Sequence, residues 1–357
     1  MNPNPFLGVF FHAVGGIGAG SFYTLFRNVR GWAWETYWLV GGLVTWLVAP
    51  WIVAAVTVPD LAALLGEVPL KNLAWIYLFG LGWGIGNLTF GLSLRYLGLS
   101  LGYAISLGCC AVFGTLIPPL HEGSLAGMLH TLSGRITLAG VGICALGIML
   151  CGAAGISKEH ELSYEQKRAG VREFHFLKGL CVAIFAGIMS ACMAFGVSAG
   201  GTVADLAVRH RTPELWKNGP PFLFIFAGCA TTNVLWCLFL NRRNRTGGDY
   251  TNAGGAPLLN NYVFCALAGA VGYLEYMFYG MGASQMGKYD FSSFSIHLAF
   301  VIIFSNVWGV LFGEWRGTRR RTVALLVAGL IVLLGSSLIS GYGNDLKARE
   351  QAAVPLT

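Results

Sequence analysis

The sequence predicts an all-α integral membrane protein of ten transmembrane helices, arranged as two inverted five-helix repeats. Three observations lead there. Of 357 residues, 55% are hydrophobic and only 11% charged, and the mean hydropathy is +0.63, far from a soluble globular average. The apolar residues are gathered into ten stretches of roughly 20 residues, the length that crosses a hydrocarbon core at about 1.5 Å per residue. The longest clearly polar connection, SKEHELSYEQKRAGVRE at 157–173, separates five of these stretches from five.

In order, the predicted spans are Phe6 to Phe26, Trp34 to Val58, Leu73 to Leu94, Leu97 to Leu120, Ile136 to Ile156, Phe176 to Ala199, Pro220 to Leu240, Leu258 to Gly282, Phe291 to Phe312 and Thr322 to Ser340. Between the third and fourth, Arg95, Tyr96 and Gly98 are expected to form the turn. The first repeat is read as 1–156, a cytoplasmic linker as 157–175, and the second repeat as 176–357. A short echo supports the division: Leu88-Thr89-Phe90-Gly91 followed by Gly98 resembles Met277-Phe278-Tyr279-Gly280 followed by Gly287, in the third span of each half. Arg135 likewise opens the fifth span as Arg321 opens the tenth. An odd number of spans per repeat forces the second copy to run the opposite way through the bilayer, a plan common among secondary transporters.

Orientation follows from the basic residues. With the amino terminus outside, the inner loops hold 15 of the 23 Lys and Arg, in clusters such as Arg242, Arg243, Arg245 and Arg319 to Arg321. Both termini are therefore expected on the outer side. These clusters sit between apolar runs, so the net charge of +7 reflects membrane orientation and not nucleic acid binding. Six of the nine cysteines, Cys144, Cys151, Cys181, Cys192, Cys229 and Cys237, fall inside apolar spans, where they read as small packing residues. The sequence has no CxxC, no GxxxxGK[ST] and no HExxH, and no nucleophile motif or convincing carboxylate pair is found in its loops. A membrane enzyme, a metal or cofactor, and transport driven by ATP bound to this chain are accordingly not expected.

Polar residues inside the spans carry the functional information, because at membrane depth they face a bundle interior or a wet cavity. Trp83 and Asn87 stand one helical turn apart, with Phe90 and Gly91 continuing their face. His12 lies in the first span and His297 in the ninth; each reads either as a proton relay or as a helix-to-helix hydrogen-bond partner. Glu35 begins the second span among Trp32, Trp34, Tyr37 and Trp38. That cluster fits an interfacial aromatic belt with Arg30 pairing the carboxylate, and equally a sugar site, in which flat rings cover the C–H face of a pyranose. Glu275 lies well inside the eighth span beside Tyr276 and Tyr279, where it serves either as a proton carrier or as a structural hydrogen-bond partner. Lys288 and Asp290 sit in a short GKYDF turn and are expected to pair at the surface. Gly82, Gly84 and Gly86, and again Gly269, Gly272 and Gly280, are expected to let helices approach closely.

The chain carries five long, specific strings, FHAVGGIGAGSFYTLFRNVRGWAWETYW, LFGLGWGIGNLTFGLSLRYLGLSLG, EFHFLKGL, YDFSSFSIHLAF and LFGEW. In this order they closely resemble the bacterial L-rhamnose/proton symporter family, a branch of the drug/metabolite transporter superfamily, and the resemblance covers nearly the whole chain. His12, Glu35, Trp83, Asn87, Arg95, Tyr289, Asp290 and His297 stand where the family's pattern has those residues. The chain departs from the pattern at Glu275, where the family has an amide, and the tract after Ala199 matches poorly.

The resemblance implies proton-coupled uptake of L-rhamnose, or of a close relative such as lyxose or the deoxysugar fucose, across a bacterial inner membrane by alternating access. On that footing Trp38, Trp83, Asn87, Glu275, Tyr276, Tyr279 and His297 would line the sugar, and Glu35, Glu275 and His12 would carry coupling protons. Sodium coupling stays open at this point, as does the oligomeric state. Two other readings share the scaffold: an exporter or facilitator of an amphipathic metabolite, and a non-transporting sugar sensor. A sensor would need a signalling partner or a soluble domain, and no loop here is long enough to form one.

Overall fold

The computed structural model describes residues 3–97, 99–121, 123–161, 175–251, 255–287, 292–311, 315 and 317–352. Every regular element among them is helical. The long helices are α1 (Pro5–Phe26), α2 (Trp34–Thr57), α4 (Leu70–Leu97), α5 (Leu99–His121), α7 (Leu132–Glu161), α8 (Phe176–Ser190), α11 (Gly219–Asn244), α12 (Leu258–Gln285), α13 (Ser292–Leu311) and α14 (Arg320–Ala352). Short helices α3 (Leu61–Glu67), α6 (Ser124–Leu129), α9 (Cys192–Ala199) and α10 (Gly201–Arg209) lie between them. Among the described residues, nine helical stretches are long and apolar enough to cross a membrane. The protein is thus a multi-pass membrane protein.

Local chemistry sets several helix ends. The side chain of Asn4 accepts from the Leu7 N–H, and Pro5, which lacks an N–H, opens α1. Within α2 a π turn at Val44–Val48 precedes Pro50. A proline ring clashes with the carbonyl four residues before it, and the wider turn absorbs that clash without ending the helix. α11 starts on Pro220 and Pro221 and stops where Arg245 turns left-handed, φ 57°.

One sequence expectation needs correction. Arg95 and Tyr96 do not form a turn: α4 continues through Leu97. The span expected from Phe176 to Ala199 is present in the apolar helical stretch Leu177–Arg209 and carries a break at Ala191 between α8 and α9; the poorly matching tract after it is partly helical, as α10. Uniform apolarity hides such a break, because lipid accepts every face of a helix. The pairing of Lys288 with Asp290, and Tyr289, lie outside the described residues.

In a bilayer no hydrophobic force drives helices together, so close backbone packing and interhelical hydrogen bonds must do so. α1 packs along α12 and α13, and α8 packs in the same manner along α4 and α5. α2 sits against α11 and α12, while α11 sits against α2 and α4. The longest pairing joins α7 to α14, with α5 resting on α7 and α13 on α14. The six glycines singled out above lie at these seams: a Cβ on any of them would come within 3.2 Å of a neighbouring helix. Gly80 abuts the Ile225 carbonyl, and Gly269 abuts that of Gly41.

Glu161 fastens the α7–α14 pair at one end. Its carboxylate accepts from the Arg319 N–H at 2.6 Å and from the Thr322 hydroxyl at 2.6 Å. These bonds favour the ionised form and hold the group below the usual carboxylate range.

Candidate functional site

The helices enclose a cavity of about 1390 Å³, larger than the roughly 300–1,000 Å³ of a closed small-molecule pocket. Its lining shows where it opens. It reaches Trp34 and Glu35 at the start of α2, Leu92 near the end of α4, and Arg243 and Asn244 at the end of α11, all on the side that carries the basic loops. It ends blindly among Glu275, Tyr279, Phe294 and His297. Beside this end Phe222, its ring centroid 6.4 Å from that of Tyr279, and Leu223 are buried. Glu275 stands 17 residues along α12 from Leu258, about 25 Å from the basic end of that helix.

The walls are aromatic in the middle and polar at both ends. Trp83 lies edge-on to Tyr276 and Phe226, with ring centroids 5.2 and 5.4 Å away. Across the cavity Trp34 and Trp38 are stacked at 5.4 Å with planes 16° apart. The Trp38 indole N–H donates to Asn233 Oδ1 at 3.0 Å. Asn233 is fully buried, and its amide donates in turn to the carbonyls of Cys229 and Gly84 at 2.9 and 3.4 Å. One side chain thereby fixes α2, α4 and its own α11. Asn87 lines the same wall as Trp83, as the one-turn spacing predicts.

At the blind end two histidines and an acid converge from three helices. His297 Nε2 lies 3.6 Å from Glu275 Oε1, within ion-pair range and beyond good hydrogen-bond distance. The His12 and His297 rings are 5.7 Å apart, and the Tyr279 ring lies tilted against both, at 5.7 and 5.2 Å. Glycine makes this convergence possible: Gly15 abuts the His297 ring, and Gly282 abuts that of His12. Both nitrogens of each histidine are buried without a hydrogen-bond partner. Buried polar atoms are ordinarily paired, so unpartnered imidazole nitrogens beside a carboxylate set this cluster apart from the rest of the interior.

Glu35 belongs to a different structure at the mouth. It is buried, and Oε1 accepts from the Asn244 amide and the Thr246 hydroxyl, each at 2.9 Å. Nearby, Asp249 accepts from the Ala33 N–H and the Thr36 hydroxyl at 2.8 and 2.9 Å. The start of α2 is thus tied to the loop after α11. Of the expected site residues, Trp38, Trp83, Asn87, Glu275, Tyr276, Tyr279 and His297 line the cavity together with Glu35; His12 stands behind them. Asn233 was not anticipated, since a lone amide in an apolar span gives no sign of which helix it will meet. The described residues hold no cluster of His, Cys, Asp and Glu fit for a metal ion.

Nearly the whole chain matches known proteins. The family model for L-rhamnose-proton symport protein (RhaT) matches residues 1–345. The chain belongs to this family. Three L-rhamnose-proton symporters, from Salmonella paratyphi B, Salmonella newport and Salmonella typhimurium, are each 34% identical to it over 342 residues. Each alignment covers 94% of this chain and 97% of the relative. RhaT is a family of transporters and not of enzymes.

Proposed function

We propose that this chain takes up L-rhamnose with protons across a bacterial inner membrane, and that Glu275 is the coupling acid. The match to the rhamnose symporter family along the chain supports the sugar and the coupled proton; the Glu275–His297 pair at the blind end of a large aromatic cavity, at a position where the family has an amide, carries the assignment of the acid in this chain. L-Rhamnose is neutral, so accumulation requires that sugar and a co-transported ion each favour binding of the other. A carboxylic acid next to an imidazole supplies that linkage. Protonated, Glu275 donates a hydrogen bond to a sugar hydroxyl; ionised, it pairs with His297 and loses that donor. Trp38, Trp83, Tyr276 and Tyr279 would face the apolar ring face of the sugar, with Asn87 toward its hydroxyls.

The same reading takes the architecture as ten spans in two inverted five-helix repeats, with the boundary near 157–175. α5 extends for 23 residues, about 35 Å, long enough to make the tenth crossing. The packing pattern supports the repeat: α1 on α12 and α13 corresponds to α8 on α4 and α5, and α7 with α14 maps onto itself. With the basic loops cytoplasmic, both termini are periplasmic and the cavity faces the cytoplasm. In this scheme Glu35, held by Asn244 and Thr246, anchors the mouth.

The test is uptake of labelled L-rhamnose into proteoliposomes under an inward proton gradient, with a sodium gradient alone as control. Glu275→Gln is expected to abolish accumulation while retaining sugar exchange, and Glu35→Gln to retain coupling. Accumulation surviving in Glu275→Gln refutes the assignment of the acid. Absence of L-rhamnose movement in the unsubstituted protein refutes the substrate.

A further inference from the structure

The geometry points to a second working site on the transport path: a gate on the basic side, in which Trp34 and Trp38 of α2 close onto Gly91 and Phe90 of α4. This inference rests on the inverted-repeat, alternating-access reading above. The closed side of the molecule supplies the template. There the start of α11 is seated on the end of α12: the Asn218 amide donates to the Gly280 carbonyl at 2.8 Å. A Cβ on Gly280 would lie 2.8 Å from the Phe222 ring and 3.2 Å from Asn218. Phe222 and Tyr279 face each other at 6.4 Å.

Two helix crossings give the register between the halves. Gly80 of α4 abuts the carbonyl of Ile225 in α11, and Gly269 of α12 abuts the carbonyl of Gly41 in α2. Trp34 and Trp38 precede Gly41 by the same numbers of residues as Asn218 and Phe222 precede Ile225. Phe90 and Gly91 likewise follow Gly80 as Tyr279 and Gly280 follow Gly269. The sequence echo of LTFG with MFYG is independent of the two crossings, and they agree. The counterparts of the Asn218–Gly280 and Phe222–Tyr279 contacts are therefore Trp34–Gly91 and Trp38–Phe90.

Those counterpart contacts are not made in this structure. All four residues line the open cavity, and nothing lies within 4 Å of the place where a Cβ on Gly91 would stand. The stacked indoles of Trp34 and Trp38 form a flat plate in the wall of the same cavity, and the Trp34 N–H has the donor chemistry that Asn218 uses on Gly280. When the cargo path switches sides, the plate descends on Gly91 and Phe90 as Phe222 leaves Gly280 and Tyr279. Glycine at 91 leaves the room that the plate needs.

The experiment uses Gly91→Leu. A leucine here enters open space in the present state, so the fold and sugar access from the basic side are kept, while the closed gate is blocked. L-Rhamnose binding, read from cavity tryptophan fluorescence, is expected within about threefold of the unsubstituted protein, with uphill uptake and exchange both reduced by about tenfold or more. Transport within about twofold of normal overturns the gate, and so does a loss of binding of about tenfold, which would make position 91 a sugar contact. A second measurement needs no sugar. Trp34→Cys with Gly91→Cys, oxidised in membranes and read by peptide mass spectrometry, is expected to accumulate a cross-link, as is Asn218→Cys with Gly280→Cys. Formation of the second cross-link without the first overturns the gate. Failure of L-rhamnose to bind the unsubstituted protein counts against the substrate alone, because the cross-links still report on the gate.

Discussion

Asn233→Ala separates ordering of the cavity wall from sugar contact. The substitution removes the acceptor for the Trp38 indole and the donor to Gly84 and Cys229. The Cys229 carbonyl keeps the Thr232 hydroxyl at 3.0 Å, so its loss costs little. The Trp38 bond is worth about 1 kcal/mol net, and the small void left by a fully buried amide adds about 1–2, for a total near 2–3 kcal/mol. Trp38 also becomes free to reorient, and immobilising a side chain on binding costs about 0.5–1.5 kcal/mol, which weakens sugar affinity roughly two- to tenfold. Thermal unfolding in detergent followed by tryptophan emission, together with L-rhamnose titration, reads both effects. A melting temperature and an affinity both equal to those of the unsubstituted protein would refute the role given to Asn233.

Other outcomes follow from the same contacts. Gly16→Val forces a side chain onto Phe300, whose Cβ and carbonyl carbon lie 2.6 and 2.8 Å from the position the new Cβ would take; overpacking of this kind costs about 1–3 kcal/mol or more, seen as poor yield of folded protein. Trp83→Ala opens the aromatic wall between Tyr276 and Phe226 and is expected to weaken L-rhamnose binding about tenfold while leaving the proton requirement of uptake in place. Glu161 is held below the usual carboxylate range by its Thr322 and Arg319 bonds. Its contribution is therefore complete above the range of an unfolded glutamate and disappears as pH falls through the lower folded value. Melting curves from neutral to acid pH should lose this component in Glu161→Gln, whose stability will be lower at neutral pH and flatter toward acid.

Apolar length and loop charge by themselves determined that this chain is a helical membrane protein, because a bilayer accepts only segments whose backbone is satisfied internally. The specific strings around His12, Glu35, Trp83 and His297 were legible as a sugar symporter's for the same local reason: they are contiguous. The spacing of Trp83 and Asn87 also placed both on one wall, since helix periodicity fixes a face. What the sequence left open was which polar residues meet. Glu35 and Glu275 read alike as carboxylates among aromatics. Only packing of distant segments gave the first its Asn244 and Thr246 donors and the second its unbonded histidine neighbours. Asn233, the break at Ala191 and the asymmetry between Gly91 and Gly280 belong to the same class. Each depends on contacts between helices far apart in the chain, and in a membrane, where every helix face is apolar, periodicity does not say which face will meet which.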